Sequence, residues 1–307
     1  MHELHTLDAL IQRFQQQKPI RASSLIITLY GDTIEPHGGT VWLGSLINAL
    51  EPIGINERLM RTSIFRLSQD GWIDSDKVGR RSYYSLTHQG HRKFEQAFQR
   101  IYNPNRPPWD NTWTLILVHQ LSPEEKKTLS DELRWQGFAV VSTHLIASPC
   151  ADKFALKDVL RLHQLEDKVV VLDASSSSQF SNQPLPALVE DCWGLEALAA
   201  QYQAFIALFH PVWQEVGEKE RLDPKSCFLT RTLLIHEYRK LQLRDPQLPD
   251  ELLPLDWEGR AARQLCRNIY RKITAAAETW IEHNMESAVG PLPNSNEAFS
   301  QRFGGLL

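Results

Sequence analysis

The chain has 307 residues, of which 42% are hydrophobic and 23% are charged, with 15 glycines and 17 prolines. This length exceeds that of a typical single domain, and the composition excludes collagen-like, coiled-coil and wholly disordered proteins. The formal net charge of −4 argues against a protein that coats nucleic acid without selectivity.

The cysteines and the apolar segments bear on the compartment. The four cysteines, Cys150, Cys192, Cys227 and Cys266, are too far apart in sequence to form a CxxC motif, so we expect no metal site and no dithiol chemistry. No apolar segment approaches the roughly 20 residues that span a bilayer. We therefore expect a cytoplasmic protein with reduced thiols and no membrane association.

The charge is unevenly distributed along the chain. Residues 18–100 contain eleven Lys and Arg residues against eight Asp and Glu residues, whereas residues 181–307 contain thirteen against seventeen. A small basic module on an otherwise acidic chain is compatible with DNA binding that is limited to specific sites. Because the charge distribution alone does not establish DNA binding, only the individual residues of this module can indicate it.

Residues 20–102 have the pattern of a winged helix-turn-helix domain. The segment SLIITLY predicts a first helix, and Thr40 is positioned to cap a second helix over VWLGSLINAL, which ends near Pro52 and Gly54. Asn56 is positioned to cap a third helix, in which Met60, Ile64 and Leu67 share one face. The segments WIDSDK and RSYYSLT, joined by Val78-Gly79-Arg80, predict a strand, a tight turn and a second strand.

The third helix and the hairpin carry the side chains expected to bind DNA. The major groove admits an α-helix or a two-stranded ribbon, and an arginine can donate two hydrogen bonds to one guanine. Arg58 and Arg61 are therefore candidate base readers, whereas Arg66 and the hairpin are expected to contact the backbone. The hairpin candidates are Lys77, Arg80, Arg81 and Tyr83. A solvated helix face is the alternative for each arginine, and strand packing is the alternative for Tyr83.

Residues 109–174 predict a small βαββαβ domain of the ferredoxin-like type. A strand over WTLILVHQ is followed by a helix that Ser122 caps and Pro123 begins. FAVVS, HLIAS, a helix over residues 152–163 and KVVVLD complete the order. Such domains often associate through their sheets, so this one is a candidate dimerisation domain. Its three histidines, His119, His144 and His163, lack metal-ligand spacing and are expected to be ordinary surface or core residues.

Residues 187–290 predict an all-α domain, followed by a C-terminal tail over residues 291–307. Its first helix is expected to kink or break at His210-Pro211, Asp223-Pro224 begins the next, and Asp256 caps a last long helix. That last helix carries an arginine stripe at helical spacing, for which a solvated face is the leading alternative. Capture of an anionic ligand is the functional interpretation. The candidate residues for this ligand are Arg263, Arg267, His236 and Arg239, and core packing is the alternative for His236.

Long sequence motifs in a fixed order resemble the PaaX-type repressor family of phenylacetate catabolism. The motifs are LYGDTIEPHGGTVWLGSLI, ERLMRTSIFRLSQDGWI with GRRSYYSLT, WQGF, LIASP, RDPQLPDELLPLDWEGRAARQLCRNIY and QRFGGL. The resemblance extends over roughly residues 20–307. The family pattern RTxxFRL falls on Arg61, Thr62, Phe65, Arg66 and Leu67, which adds Thr62 to the DNA-binding candidates. The pattern GRRSYYSL falls on residues 79–86.

The resemblance implies a homodimeric repressor that binds double-stranded operator DNA and is released by phenylacetyl-CoA. It also implies a winged-helix domain, a central domain similar to that of small CRISPR-associated proteins that bind double-stranded DNA, and a helical C-terminal domain. We expect no enzyme activity and no cofactor apart from this effector. Two alternatives stay open: a DNA-binding scaffold without small-molecule control, and a hydrolase of nucleic acid or thioesters, for which no GxSxG or paired-carboxylate motif is present.

Overall fold

The chain is a mixed α+β protein of more than one domain. The computed structural model describes residues 3–102, 108–176 and 184–306, and the chain divides into two compact units. The first unit contains residues 1–104, 204–240 and 260–307, and the second contains residues 105–203 and 241–259. Among the described residues, no helix is long and apolar enough to cross a membrane.

The N-terminal part of the first unit carries the helices and strands predicted for a DNA-binding module. It contains helices α1 (Thr6–Gln15), α2 (Ala22–Leu29), α3 (Leu43–Leu50), α4 (Glu57–Gln69) and α5 (His88–Tyr102), and strands β1 (Thr40–Trp42), β2 (Ile73–Val78) and β3 (Arg81–Leu86). The helix α2 continues as a π-helical turn over Tyr30–Ile34. The strands form an antiparallel sheet in the order β1-β3-β2.

The start of the second predicted helix is wrong by two residues. Thr40–Trp42 is strand β1, and the helix begins only at Leu43. Val41 is fully buried and lies opposite Tyr84 of β3, so a partner far along the chain draws this segment into the sheet. The helices α1 and α5 are additional elements that the sequence pattern did not predict.

The second unit is built around a four-stranded antiparallel sheet in the order β5-β6-β4-β7. Its elements are β4 (Thr112–Leu117), α6 (Pro123–Arg134), β5 (Ala139–Ser142), β6 (Leu145–Ser148), α7 (Lys153–Leu162), β7 (Val170–Ser175) and α8 (Leu185–Trp193). Ser122 and Glu125 form a reciprocal capping box at the start of α6, which stabilises the first turn. Ile116, Leu129 and Ile146 are buried in its core.

Three long helices follow: α9 (Leu195–Glu218), α10 (Pro224–Gln242) and α11 (Glu258–Asn284). The sequence predicts a kink or break at His210-Pro211, and the break does not occur, since α9 continues through Pro211. An internal proline costs a helix about 3 kcal/mol, and the complete burial of Phe209, Val212 and Val216 on both sides of it offsets that cost.

The region after α11 is not purely helical, although the sequence predicts an all-α domain up to residue 290. After α11 come a short hairpin of β8 (Glu286–Ser287) and β9 (Gly290–Pro291) and a short helix, α12 (Glu297–Ser300). The residues of α9, α10 and α11 are shared between the two compact units, so these units cut across the predicted boundaries at 187 and 291. The division into functional domains stays a prediction.

The sequence also predicts two joints, a proline-rich linker over residues 103–108 and a serine run over residues 175–178, and both fall largely outside the described residues. Of the proline-rich linker over residues 103–108, only residue 108 is described. Of the serine run that begins at Ser175, Ser175 itself belongs to β7, and residues 177 and 178 lie outside the described part of the chain.

Candidate nucleic-acid interface

The helix α4 presents a basic face because its apolar residues are spaced for burial on the other side. The side chain of Asn56 accepts a hydrogen bond from the backbone nitrogen of Leu59 at 2.9 Å, as predicted for the cap. Met60, Ile64 and Leu67 are buried. The remaining face is exposed to solvent and includes Arg58, Arg61, Thr62, Phe65 and Arg66. The placement expected for these side chains is therefore the placement observed.

Two contacts organise the N-terminal half of this face. Arg61 makes an ion pair with Glu57 one turn earlier, with 2.7 Å between Nη2 and Oε1, and both side chains are about 60% exposed. The hydroxyl of Thr62 donates to the backbone oxygen of Arg58 at 2.9 Å. Exposed pairs of this kind contribute at most about 1 kcal/mol, so a stronger anion can displace Glu57 from Arg61.

Phe65 was not among the residues singled out from the sequence as DNA-binding candidates. Its side chain is 64% exposed in the middle of the basic face, although helices usually bury an aromatic ring. An exposed apolar side chain on a helix of this kind can contact the methyl group of a thymine in the major groove. The spacing of Met60, Ile64 and Leu67 already indicated that Phe65 lies opposite the core.

The hairpin β2–β3 forms a basic ribbon beside α4. Its tight turn contains Gly79 at φ +62°, a left-handed conformation that glycine adopts without strain. Lys77, Val78 and Arg80 are exposed at or near the turn. The hairpin thus places two of the predicted backbone-contacting cations in solvent.

Arg81 differs from its neighbours because it is held by two contacts within the protein. Its guanidinium lies 4.3 Å from the centre of the Trp42 ring, and its Nη1 lies 2.6 Å from Oε2 of Glu286 in β8. The hydrogen bond to Glu286 raises the pKa of Arg81 above its ordinary value. The hairpin β8–β9 was not predicted from the sequence, because its two strands have only two residues each.

Tyr83 is placed differently from the expectation that it contacts phosphate. Its side chain is only 5% exposed, and it lies opposite Asp76 of β2 and Trp42 of β1. The packing alternative therefore fits Tyr83 better than a phosphate contact. Tyr84, the next residue in the strand, is partly exposed.

A buried charge network fixes α2 against the C-terminal helices of the same unit. Asp32, in the π-helical turn, accepts hydrogen bonds from the hydroxyls of Tyr102 at 2.7 Å and Tyr270 at 2.9 Å. Its carboxylate also lies 3.0 Å from Arg231 and 3.1 Å from Arg302, and both guanidiniums are fully buried. Buried charges are stable only when they are paired and hydrogen-bonded, so this network locks the arrangement of the helices.

The candidates for effector binding fall into two groups. His236 and Arg239 of α10 both contact Thr28 of α2, through His236 Nδ1 at 3.0 Å and Arg239 Nη1 at 3.1 Å. Burial lowers the pKa of His236 well below its ordinary value and also lowers the pKa of Arg239. Arg263 and Arg267 are half-buried on α11 and do not line the cavity that Arg239 borders.

No metal centre accompanies these residues within the described parts of the chain. No group of three His, Cys, Asp or Glu side chains there is close enough to hold an ion. The second unit contains the three histidines whose sequence spacing does not suit a metal site, His119, His144 and His163. His163 contacts Glu132 at 2.8 Å, which is an ordinary polar interaction.

Comparison with known proteins gives consistent matches over nearly the whole chain. Residues 21–90 match the family model described as PaaX-like protein, and residues 193–283 match the PaaX-like protein C-terminal domain. The transcriptional repressor PaaX of Escherichia coli K12 is 41% identical over 304 residues, which cover 98% of this chain and 95% of that protein. The solved structure of the uncharacterized protein Rv0674 from Mycobacterium tuberculosis superposes with a TM-score of 0.46 at 17% identity, over 76% of this chain and 90% of that chain.

Proposed function

The chain belongs to the PaaX-like protein family, and from that premise we propose that it is a cytoplasmic transcriptional repressor that binds operator DNA. The observation that carries the proposal is the exposed basic face of α4 beside a basic hairpin. Three arginines and Thr62 project from one helix whose opposite face is buried. This is the arrangement in which a recognition helix of a winged helix-turn-helix domain enters the major groove.

The proposal assigns different tasks to the two parts of the interface. Arg58 and Arg61 read bases, with Thr62 beside them, whereas Arg66, Lys77 and Arg80 contact phosphates and set the register. Arg81 joins the phosphate contacts only when it leaves Glu286. Tyr83 is buried and is assigned no contact with DNA.

Binding to a duplex selected from a randomised pool tests these assignments by fluorescence anisotropy. We expect the Arg58→Ala and Arg61→Ala variants to lose about 1–3 kcal/mol of binding free energy on the selected site and little on unrelated duplexes. Lys77→Ala is expected to weaken binding to all duplexes and to reduce the salt dependence by about one phosphate contact. Arg221→Ala, an exposed arginine far along the sequence, is the matched control.

If Arg58→Ala and Arg61→Ala both bind the selected duplex as tightly as Arg221→Ala does, α4 does not read bases. Equal losses on selected and unrelated duplexes would convert these arginines to phosphate contacts. Either result is distinguishable from misfolding by circular dichroism of the same samples.

We further propose that the chain represses genes of phenylacetate catabolism as a homodimer. The support is the name and the near full-length similarity of the Escherichia coli repressor. The βαββαβ order of the second unit, with strand order β5-β6-β4-β7, supports a ferredoxin-like dimerisation domain. Sedimentation equilibrium tests the dimer, and a single monomeric species at micromolar concentration would contradict it.

We also propose that an aryl-acyl-CoA ester such as phenylacetyl-CoA releases the repressor from DNA. An effector can weaken DNA binding only by its difference in affinity for the two states, usually about 1–3 kcal/mol. Titration of the protein–operator complex with phenylacetyl-CoA measures this coupling. Unchanged operator affinity would favour the scaffold without small-molecule control, and turnover of the thioester or of DNA would favour the hydrolase.

A further inference from the structure

A small cavity lies inside the first unit, between the helices α2, α5 and α10. Its volume is about 30 Å³, enough for one water molecule. Its walls are mostly apolar, with hydrocarbon or aromatic surface on each of the three helices. The apolar and aromatic wall residues are Ile27, Trp72, Phe94, Ala97, Ile101, Tyr102 and Ile235.

Two cations line this cavity without a carboxylate partner in the described residues. Arg239 donates from Nη1 to the backbone oxygen of Ser24 at 2.9 Å and to Thr28 Oγ1 at 3.1 Å, and both acceptors are uncharged. Lys93 lies with Nζ 4.9 Å from the centre of the Trp72 ring and stands at the exposed side. The guanidinium of Arg239 is only partly exposed, and removing a charge from water without an anion is costly, so its position calls for a compensating interaction.

The one carboxylate in the wall does not supply that interaction. Asp32 borders the cavity, but its charge is already shared between Arg231 and Arg302, and two tyrosine hydroxyls donate to it. The cavity therefore combines apolar walls, one partly buried donor group and a second cation nearer to solvent. This combination matches a ligand with a hydrocarbon body and an oxygen acceptor at its inner end.

We propose that this cavity, once widened, binds an apolar acyl group whose oxygen accepts a hydrogen bond from Arg239. The hydrocarbon body lies against Ile27, Phe94 and Ile235, and Lys93 faces the anionic part of the ligand outside. The proposal rests on the proposed function, because an acyl-CoA effector has this chemistry. A free arylacetate has the same apolar body and a carboxylate, and the test separates the two.

The position of the cavity gives a physical route from the ligand to the DNA-binding surface. Phe94 and Lys93 lie on α5, which follows β3 after one residue, and Trp72 precedes β2. The backbone nitrogen of Thr87 donates to the oxygen of Trp72 at 3.0 Å, and its hydroxyl donates to the oxygen of Gly71 at 2.6 Å. A ligand larger than the cavity must displace α5, and this displacement moves the hairpin relative to α4.

The contact between Gly31 and Phe94 shows how tightly α5 closes the cavity. A Cβ atom at position 31 would overlap the Phe94 ring, so only glycine allows this approach. The ring of Phe94 thereby covers the π-helical turn on the side of α2. Space for a ligand is gained by moving Phe94 outward with α5, and Arg239 stays anchored on α2 through Ser24 and Thr28.

The experiment measures operator release and ligand binding for the full chain with phenylacetyl-CoA, phenylacetate and CoA alone. We expect Arg239→Met and the cavity-filling variant Ala97→Leu to bind operator like the parent, and to need at least about tenfold more ligand for release. Lys93→Met is expected to weaken the binding of the thioester more than the binding of the free acid. Arg92 is the exposed neighbour of Lys93. Arg92→Met is therefore the matched control and is expected to behave like the parent.

The outcomes separate this inference from the proposed function. If the parent is released by none of the three compounds, the effector part of the proposed function fails, and this inference fails with it. If the parent is released and Arg239→Met and Ala97→Leu respond equally well, only the cavity assignment is overturned. If Arg239→Met loses operator binding through misfolding, Ala97→Leu and Lys93→Met still decide the matter. Release by phenylacetate with no response to the thioester assigns the site to the free acid.

Discussion

Arg81 of the hairpin and Glu286 of β8 form an ion pair with 2.6 Å between Nη1 and Oε2. The two residues are 205 positions apart in sequence, and both side chains are about half exposed. A carboxylate from the C-terminal region thus occupies the guanidinium that the proposed function assigns to a DNA phosphate. Glu286 is therefore expected to compete with DNA for Arg81.

Replacing Glu286 with glutamine is expected to strengthen DNA binding. The substitution removes a negative charge next to the interface and frees Arg81, and exposed pairs of this kind contribute at most about 1 kcal/mol. The affinity for duplex DNA should therefore rise by up to about fivefold, which anisotropy titrations at low salt can measure. Glu282→Gln, an exposed carboxylate at the end of α11, is the control. Equal affinities for Glu286→Gln and the parent would show that Glu286 does not compete.

Asp32→Asn is expected to destabilise the first unit strongly. The change leaves the buried guanidiniums of Arg231 and Arg302 with one carboxylate fewer, and breaking a buried pair in this way costs about 3–5 kcal/mol. Urea unfolding followed by circular dichroism measures the loss. Asp131→Asn, at an exposed position of α6, should change the free energy of unfolding by less than about 0.5 kcal/mol. A similar small effect at Asp32 would contradict the role given to the network.

Phe65→Ser separates DNA binding from folding. Because the ring is 64% exposed, its loss should change the free energy of unfolding by less than about 0.5 kcal/mol. The affinity for the selected duplex should fall if the ring contacts a base. Leu67→Ala, on the buried face of the same helix, should instead cost about 2–5 kcal/mol of stability. Unchanged affinity in Phe65→Ser would leave the exposed ring without a role in binding.

Glu35 is expected to make stability decrease as the pH rises from about 5 to 8. Burial raises the pKa of Glu35 from 4.5 to about 7, so between these values the folded chain binds more protons than the unfolded chain. The expected loss across this range is about 1–3 kcal/mol. The Nδ1 atom of His91 lies 3.1 Å from Oε2 of Glu35.

Glu35→Gln removes the titrating group and should flatten this part of the profile. Urea unfolding at pH 5, 6, 7 and 8 compares it with the parent and with Glu51→Gln, whose side chain is exposed. A parent and a Glu35→Gln variant with parallel profiles would show that Glu35 does not titrate in this range.

The elements predicted best are those with strong local signals. The cap at Asn56 and the spacing of Met60, Ile64 and Leu67 placed α4 and its exposed arginines correctly, because caps and helical periodicity act within a few residues. Ser122 and Pro123 did the same for the start of α6. The motifs that carry the family resemblance were also visible in the sequence alone, and the family matches confirmed the resemblance.

The packing of distant segments was decided only in the tertiary structure. Arg302, in a segment assigned to a tail, donates to Asp32 from 270 residues away, and Arg239 meets α2 at Ser24 and Thr28. Val41 became a strand residue through β3, and Pro211 remained helical because its neighbours are buried. Local patterns determine which face of an element is apolar. Which distant side chain covers that face, and which charge balances a buried one, depends on contacts that form only when the whole unit has folded.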